Sequence, residues 1–139
     1  MLPSITFLRG VPTLHSDVVG PAPPDTIGPF SVLHPVGAGT LGPVFRAYDS
    51  EHDRFVALKL FRLDLTPDRA HRVVGELESL VATKISHPAL ATPLAAGLVD
   101  ASPYLAQDFV LGDALDVVAR ERGPLPPAEV IRLVTALAA

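Results

Sequence analysis

Gly37, Gly39 and Gly42 fall within six residues, in Val36-Gly37-Ala38-Gly39-Thr40-Leu41-Gly42-Pro43-Val44. Glycines at this spacing let a backbone approach a phosphate closely, because no Cβ stands between them. Further on, one of only two lysines stands in Val56-Ala57-Leu58-Lys59-Leu60-Phe61. A lysine ammonium is a point charge suited to phosphate, and it is almost never fully buried without a partner. Glu78 is the candidate partner. Val74, Glu78, Val81 and Ile85 are spaced i, i+4, i+7, i+11 and share one helix face, which sets Glu78 in an apolar stripe. Glu76 lies on a more polar face with Arg72 and Ser79. A buried Lys59–Glu78 ion pair is therefore expected, and removing one partner of such a pair costs about 3–5 kcal/mol.

The glycine spacing, G-x-G-x-x-G, is open to three chemistries. A dinucleotide site needs the motif to follow a strand and open a helix. Here Pro43-Val44-Phe45-Arg46-Ala47-Tyr48 alternates like a strand. A Walker A loop ends in Gly-Lys-Ser/Thr, whereas Gly42 is followed by Pro43. The third is a strand-loop-strand flap whose backbone lies over phosphates while Val44 closes over a base. On the loop alone, a hairpin with no ligand competes with it.

The elements that must position these groups are legible from periodicity. "FSVLHPVG" reads as a strand, "PVFRAYD" as a second, "EHD" as a turn, and "RFVALKLF" as a third strand, apolar on both faces and so central or covered. Thr66 suits a helix N-cap and Pro67 the first helical position. Val73, Val74, Leu77, Leu80, Val81 and Ile85 carry the helix to a stop at Ser86-His87-Pro88. "ATPLAAGLV" and "PYLAQDFV" read as two more strands, and "GDALDVVARERG" as a short helix. A last helix carries Val130, Leu133, Val134 and Leu137 on one face, and the sequence stops at Ala139 without a C-cap signal. Residues 1–28, with Pro3, Pro12, Pro21, Pro23 and Pro24, are expected to form an unstructured leader.

Composition narrows the classes. A chain of 139 residues with 48% hydrophobic and 19% charged residues can build a core. The net charge of -4 gives no reason to expect nucleic acid or an anionic membrane. Cysteine is absent, so disulfides and thiolate metal sites are excluded, and a cytoplasmic setting is expected. The five histidines have no metal-ligand spacing. No apolar run is long enough to span a membrane, and the N-terminus is a poor signal peptide.

Glycine flap, V-A-L-K strand, glutamate helix and two further strands, taken in that order, resemble the N-terminal lobe of bacterial Hanks-type serine/threonine protein kinases. Ser86-His87-Pro88 and Pro103-Tyr104-Leu105-Ala106-Gln107-Asp108-Phe109-Val110 belong to the resemblance, as does the separation of nine residues from Glu78 to His87. The resemblance covers about residues 28–139. It implies an α+β fold: a five-stranded antiparallel sheet with one αC-type helix over 29–111, then a hinge exit and the first helices of an incomplete C-lobe over 112–139. It implies ATP and Mg²⁺ as cofactors, with the metal ligands expected in a C-lobe not included here. It implies that Gly37, Gly39 and Gly42 cover the phosphates and that Lys59, held by Glu78, binds the α- and β-phosphates. Val36, Val44 and Ala57 would line the adenine pocket, and the backbones of Asp108 and Val110 would pair with the base. Asp113 would reach the ribose. Gln107 takes the gatekeeper position, where a larger apolar residue is usual, and Leu41 replaces an aromatic at the loop tip.

Phosphoryl transfer in this family also needs a catalytic-loop Asp, an Asn for magnesium and the Asp of D-F-G. Asp108-Phe109-Val110 is not D-F-G, His52-Asp53-Arg54 is not H-R-D, and the sequence has no asparagine. The expectation is thus the ATP-binding part of a kinase that acts on protein Ser/Thr only when complete. A non-catalytic, pseudokinase-like nucleotide- or partner-binding module is the alternative. A dinucleotide-binding oxidoreductase fragment is a third reading, opposed by the strand after Gly42.

Overall fold

The computed structural model describes residues 22–139, so most of the stretch expected to be a leader, residues 1–21, lies outside the described residues. Its elements are β1 (Thr26–Ile27), β2 (Phe30–Gly39), β3 (Gly42–Asp49), β4 (Arg54–Leu60), α1 (Pro67–Ala82), β5 (Pro93–Val99), β6 (Ser102–Asp108), α2 (Leu115–Arg122) and α3 (Pro127–Ala138). The strands form one antiparallel sheet in the order β1-β2-β3-β4-β6-β5.

Among the described residues six strands stand where five are expected. The addition is β1, which lies inside the range read as leader, so that boundary moves toward the N-terminus. The prolines at 21, 23 and 24 dominate the local composition, but Gly28 at φ +56 turns the chain back so that Ile27 pairs with Phe30. The Val32 amide donates to the Asp25 carbonyl at 2.9 Å, and Ile27 is fully buried.

Period-2 alternation in β3 and β4 sends Phe45 and Ala47, and Val56, Leu58 and Leu60, to one face. There they meet Ile27, Phe30, Tyr104 and Ala106 in the main core. The Tyr104 ring stands edge-on to Phe30, with centroids 6.2 Å apart. Gly28 and Gly97 admit it: a Cβ on either would lie 2.3 or 2.6 Å from its hydroxyl oxygen. The β3–β4 turn is organised by Asp49, which is buried and accepts from Arg54 Nε at 3.1 Å and pairs with His52 Nδ1 at 2.8 Å. Tyr48 adds a hydrogen bond from its hydroxyl to Asp53.

The helix α1 packs against β5 and β6. Thr66 is its N-cap residue, though its hydroxyl makes no capping bond, and Pro67 opens the helix as expected. Ala70 is its fully buried residue, with Val73, Val74, Leu77 and Val81 half-buried. The helix ends at Ala82, so Ile85 falls outside it. Lys84 at φ +50 breaks the helical path before the Ser86-His87-Pro88 stop is reached. No helix among the described residues is long and apolar enough to cross a membrane.

α2 and α3 bury no residue fully. Along α3, Val130, Val134 and Leu137 are all exposed, the last by 71%. The apolar face expected there is present and uncovered.

Candidate functional site

The glycine motif is the tip of the β2–β3 hairpin. Gly39 pairs with Gly42, and Thr40-Leu41 makes the two-residue turn. The third glycine has a steric reason in the fold. Gly42 has φ +146, and a Cβ on it would lie 2.0 Å from the Leu60 carbonyl oxygen. The nearby Arg62 amide donates to the Leu41 carbonyl at 2.9 Å, so the tip is fastened to the end of β4. Gly37 differs: a Cβ there meets nothing within 4 Å, and its φ is not in the left-handed region. The fold thus gives no steric reason for glycine at 37, and the space beside it is open.

Register brings the lysine under this hairpin. Gly37 pairs with Val44, Val44 with Lys59, and Lys59 with Leu105, one row across four strands. A second row holds Arg46, Ala57 and Gln107. Both rows lie on the face opposite the main core. A cavity of about 320 Å³ opens on this face, lined by Gly39, Thr40, Leu41, Gly42, Val44, Lys59, Leu60, Phe61, Leu105 and Gln107. That size is at the lower end for small-molecule sites, about 300–1,000 Å³. A larger cavity, about 590 Å³, lies between α2 and α3, but its wall contains none of the candidate residues. Chemistry decides against it: its charged groups, Arg122, Glu129 and Arg132, sit among Leu and Pro side chains and do not converge with a glycine loop.

The Lys59 side chain is exposed on the cavity face rather than buried. β4 is central, as its sequence implies, but only one of its faces is covered, and Lys59 is on the other with Phe55 and Ala57. The expected ion pair with Glu78 is not formed. Among the described residues no carboxylate lies within 4.0 Å of Lys59. Glu78 is exposed because α1 turns Ala70, Val73, Val74, Leu77 and Val81 toward the sheet, which puts Glu78 on the margin of that stripe. Its charge is felt at Tyr104, whose hydroxyl is held above the ordinary phenol value first by burial and then by Glu78.

Other expected positions divide. Gly39, Gly42, Val44 and Lys59 line the cavity together, with Ala57 beside them on the same face. Val36 falls in the register shift between Pro35 and Gly37 and is 45% exposed, outside the cavity lining. Asp108 ends β6 opposite Val56, its amide donating to the Thr92 carbonyl at 3.0 Å. Val110 follows, 69% exposed. Gln107 is tied back by Nε2 to the Ala91 carbonyl at 3.2 Å, which fixes its side chain at the cavity wall. Asp113 is exposed in the segment before α2.

Sequence reasoning missed Arg46. Its guanidinium lies 4.2 Å from the Phe55 ring centre and 5.0 Å from that of Phe109. Alternation in β3 could have placed Arg46 beside Val44 on the open face. Nothing local in sequence announces Phe109, which comes from 63 residues on.

No protein-family model matches the chain. Among curated proteins it is 30% identical over 107 residues to the serine/threonine-protein kinase PknE of Mycobacterium tuberculosis, a match covering 77% of this chain and 19% of PknE. It is 36% identical over 113 residues to the serine/threonine-protein kinase AfsK of Streptomyces coelicolor, covering 81% of this chain and 14% of AfsK. The chain thus spans less than a fifth of these relatives. Among solved structures, the PknI kinase domain of M. tuberculosis superposes with a TM-score of 0.66 at 27% identity, over 81% of this chain and 46% of that one. Sheet order, glycine hairpin and lysine strand agree with these matches: the chain belongs to the bacterial Hanks-type serine/threonine protein kinases, and corresponds to part of their kinase domain.

Proposed function

We infer that this chain is the ATP-holding part of a serine/threonine protein kinase. The observation that carries the reading is the row Gly37–Val44–Lys59, which sets an unpaired ammonium beneath a glycine hairpin at the mouth of a cavity. The space left beside Gly37 and the apolar wall of Val44 and Leu105 fit a triphosphate and a base respectively.

In this reading Gly37 and Gly39 let the hairpin backbone close over the phosphates, while Gly42 fastens the hairpin to β4. Lys59 supplies the charge that orients the α- and β-phosphates. Val36, Val44 and Ala57 pack on the base, and the Asp108 carbonyl and Val110 amide pair with its edge. Glu78 would hold Lys59 once α1 rotates to bring it off the margin of the buried stripe. ATP supplies the transferred phosphoryl group, and Mg²⁺ the charge neutralisation, with its ligands expected in the remainder of a kinase domain. The protein substrate belongs to that complete enzyme, and a cytoplasmic site fits the use of ATP and the absence of cysteine.

A second reading, a nucleotide-holding module without catalysis, is favoured by the open Lys59–Glu78 pair. In an NMR titration with Mg-ATP, the primary reading expects shifts at amides of 36–44, 57–59 and 107–110. Shifts confined to the groove between α2 and α3 would overturn it.

A further inference from the structure

Arg46 is the one buried side-chain donor left unsatisfied among the described residues: its Nε has no hydrogen-bond partner. An unpaired buried donor carries a desolvation cost, so something else must hold the side chain there. The rings do. Phe55 of β4 takes the guanidinium at 4.2 Å and Phe109, just past β6, takes it at 5.0 Å. The Tyr48 ring packs against Phe55 at a tilt of 58°, with centroids 5.6 Å apart. Arg46 also shares a row with Ala57 and Gln107, so this stack borders the cavity face.

Consider what Phe109 is attached to. It lies between Asp108 and Val110, beyond the last ladder partner of β6, Asp108 opposite Val56. Past that point the sheet no longer fixes the backbone. The cation stacked on Phe109 ties this segment to the β3–β4 hairpin.

We propose that Arg46 is a positioning residue for the base: clamped between Phe55 and Phe109, it sets the backbone of residues 108–110 at the edge of the cavity. This rests on the nucleotide reading above, and deepens it by naming what fixes the segment that reads the base. Arg46 acts through Phe109 and need not touch the ligand.

The test separates base from phosphate in the 139-residue chain. Arg46→Met is expected to weaken adenosine binding about tenfold while leaving tripolyphosphate binding within about twofold. Arg46→Lys, which keeps a cation at the rings, recovers part of the loss. Phe109→Leu reproduces it, and the double variant is no weaker than either single one, as expected for residues acting as a unit. Hydrogen exchange at amides 108–111 speeds up in Arg46→Met while that of β4 does not change. Unchanged adenosine affinity in Arg46→Met, or equal losses for both ligands, overturns this inference alone. Failure of the unaltered chain to bind adenosine overturns the nucleotide reading, and this inference with it.

Discussion

Val44 and Lys59 face each other across the β3–β4 ladder. That single pairing ties the glycine hairpin to the lysine, because Val44 is two residues beyond Gly42 and opposite Gly37. A register slip of one residue would send Lys59 to the core face and Leu58 to the cavity. The buried run Val56, Leu58 and Leu60 forbids the slip, so core packing is what aims the lysine.

The glycines are expected to separate into two kinds. Gly42→Ala is expected to destabilise the fold by about 2 kcal/mol or more, since φ +146 and the Leu60 carbonyl both oppose a Cβ. Gly37→Ala is expected to leave the melting temperature within about 2 °C, as for an ordinary surface change, and to weaken Mg-ATP binding instead. Thermal melts and calorimetric titrations of the two variants check this. A Gly37→Ala chain that melts early and binds normally would reverse the assignment.

Asp49 should make the β3–β4 turn acid-sensitive. Burial alone would raise its pKa, but the hydrogen bonds from Arg54 and His52 outweigh burial and hold it below the ordinary value of 3.8. Because the folded value is the lower one, the stabilisation is complete above about pH 5 and fades as pH falls through the folded value. Asp49→Ala should cost about 1–3 kcal/mol at neutral pH. Its deficit should shrink in acid. Urea melts of both chains at pH 7 and pH 3 test this, and a deficit that grows in acid would show the sign to be wrong.

Tyr104 and Gly97 make a tight pair, and Gly97→Ala should overpack the site by about 1–3 kcal/mol, because its Cβ would meet the ring at 2.6–2.9 Å. Tyr104→Leu in the same chain should return part of the loss. If the double variant were less stable than the sum of the single changes, the clash would not be the cause.

Much of this arrangement is legible in sequence for identifiable reasons. Alternation in Pro43–Tyr48 and the V-A-L-K run sufficed for β3 and β4, and Thr66-Pro67 for the start of α1. The helix spacing sets Glu78 in the apolar stripe, whereas the fold leaves it exposed at the stripe's margin. An i+4 step advances 400°, and the resulting offset of 40° decides between burial and exposure at a stripe edge. The loss of Ile85 from the helix has a similar origin, since Lys84 leaves the helical region for a reason that periodicity does not register. Strand β1 was hidden by the prolines that precede it. Arg46 stacked on Phe109 depends on the sheet order β3-β4-β6, which no local pattern encodes.

Lys59 is the residue on which the account rests. Mg-ATP titrated calorimetrically into the chain, its Lys59→Met variant and its Lys84→Met variant compares the only two lysines in the sequence. Lys59→Met should weaken binding by about tenfold or more, a loss of about 1.4 kcal/mol, while Lys84→Met stays within about twofold. Equal effects of the two substitutions would contradict a phosphate-binding role for Lys59.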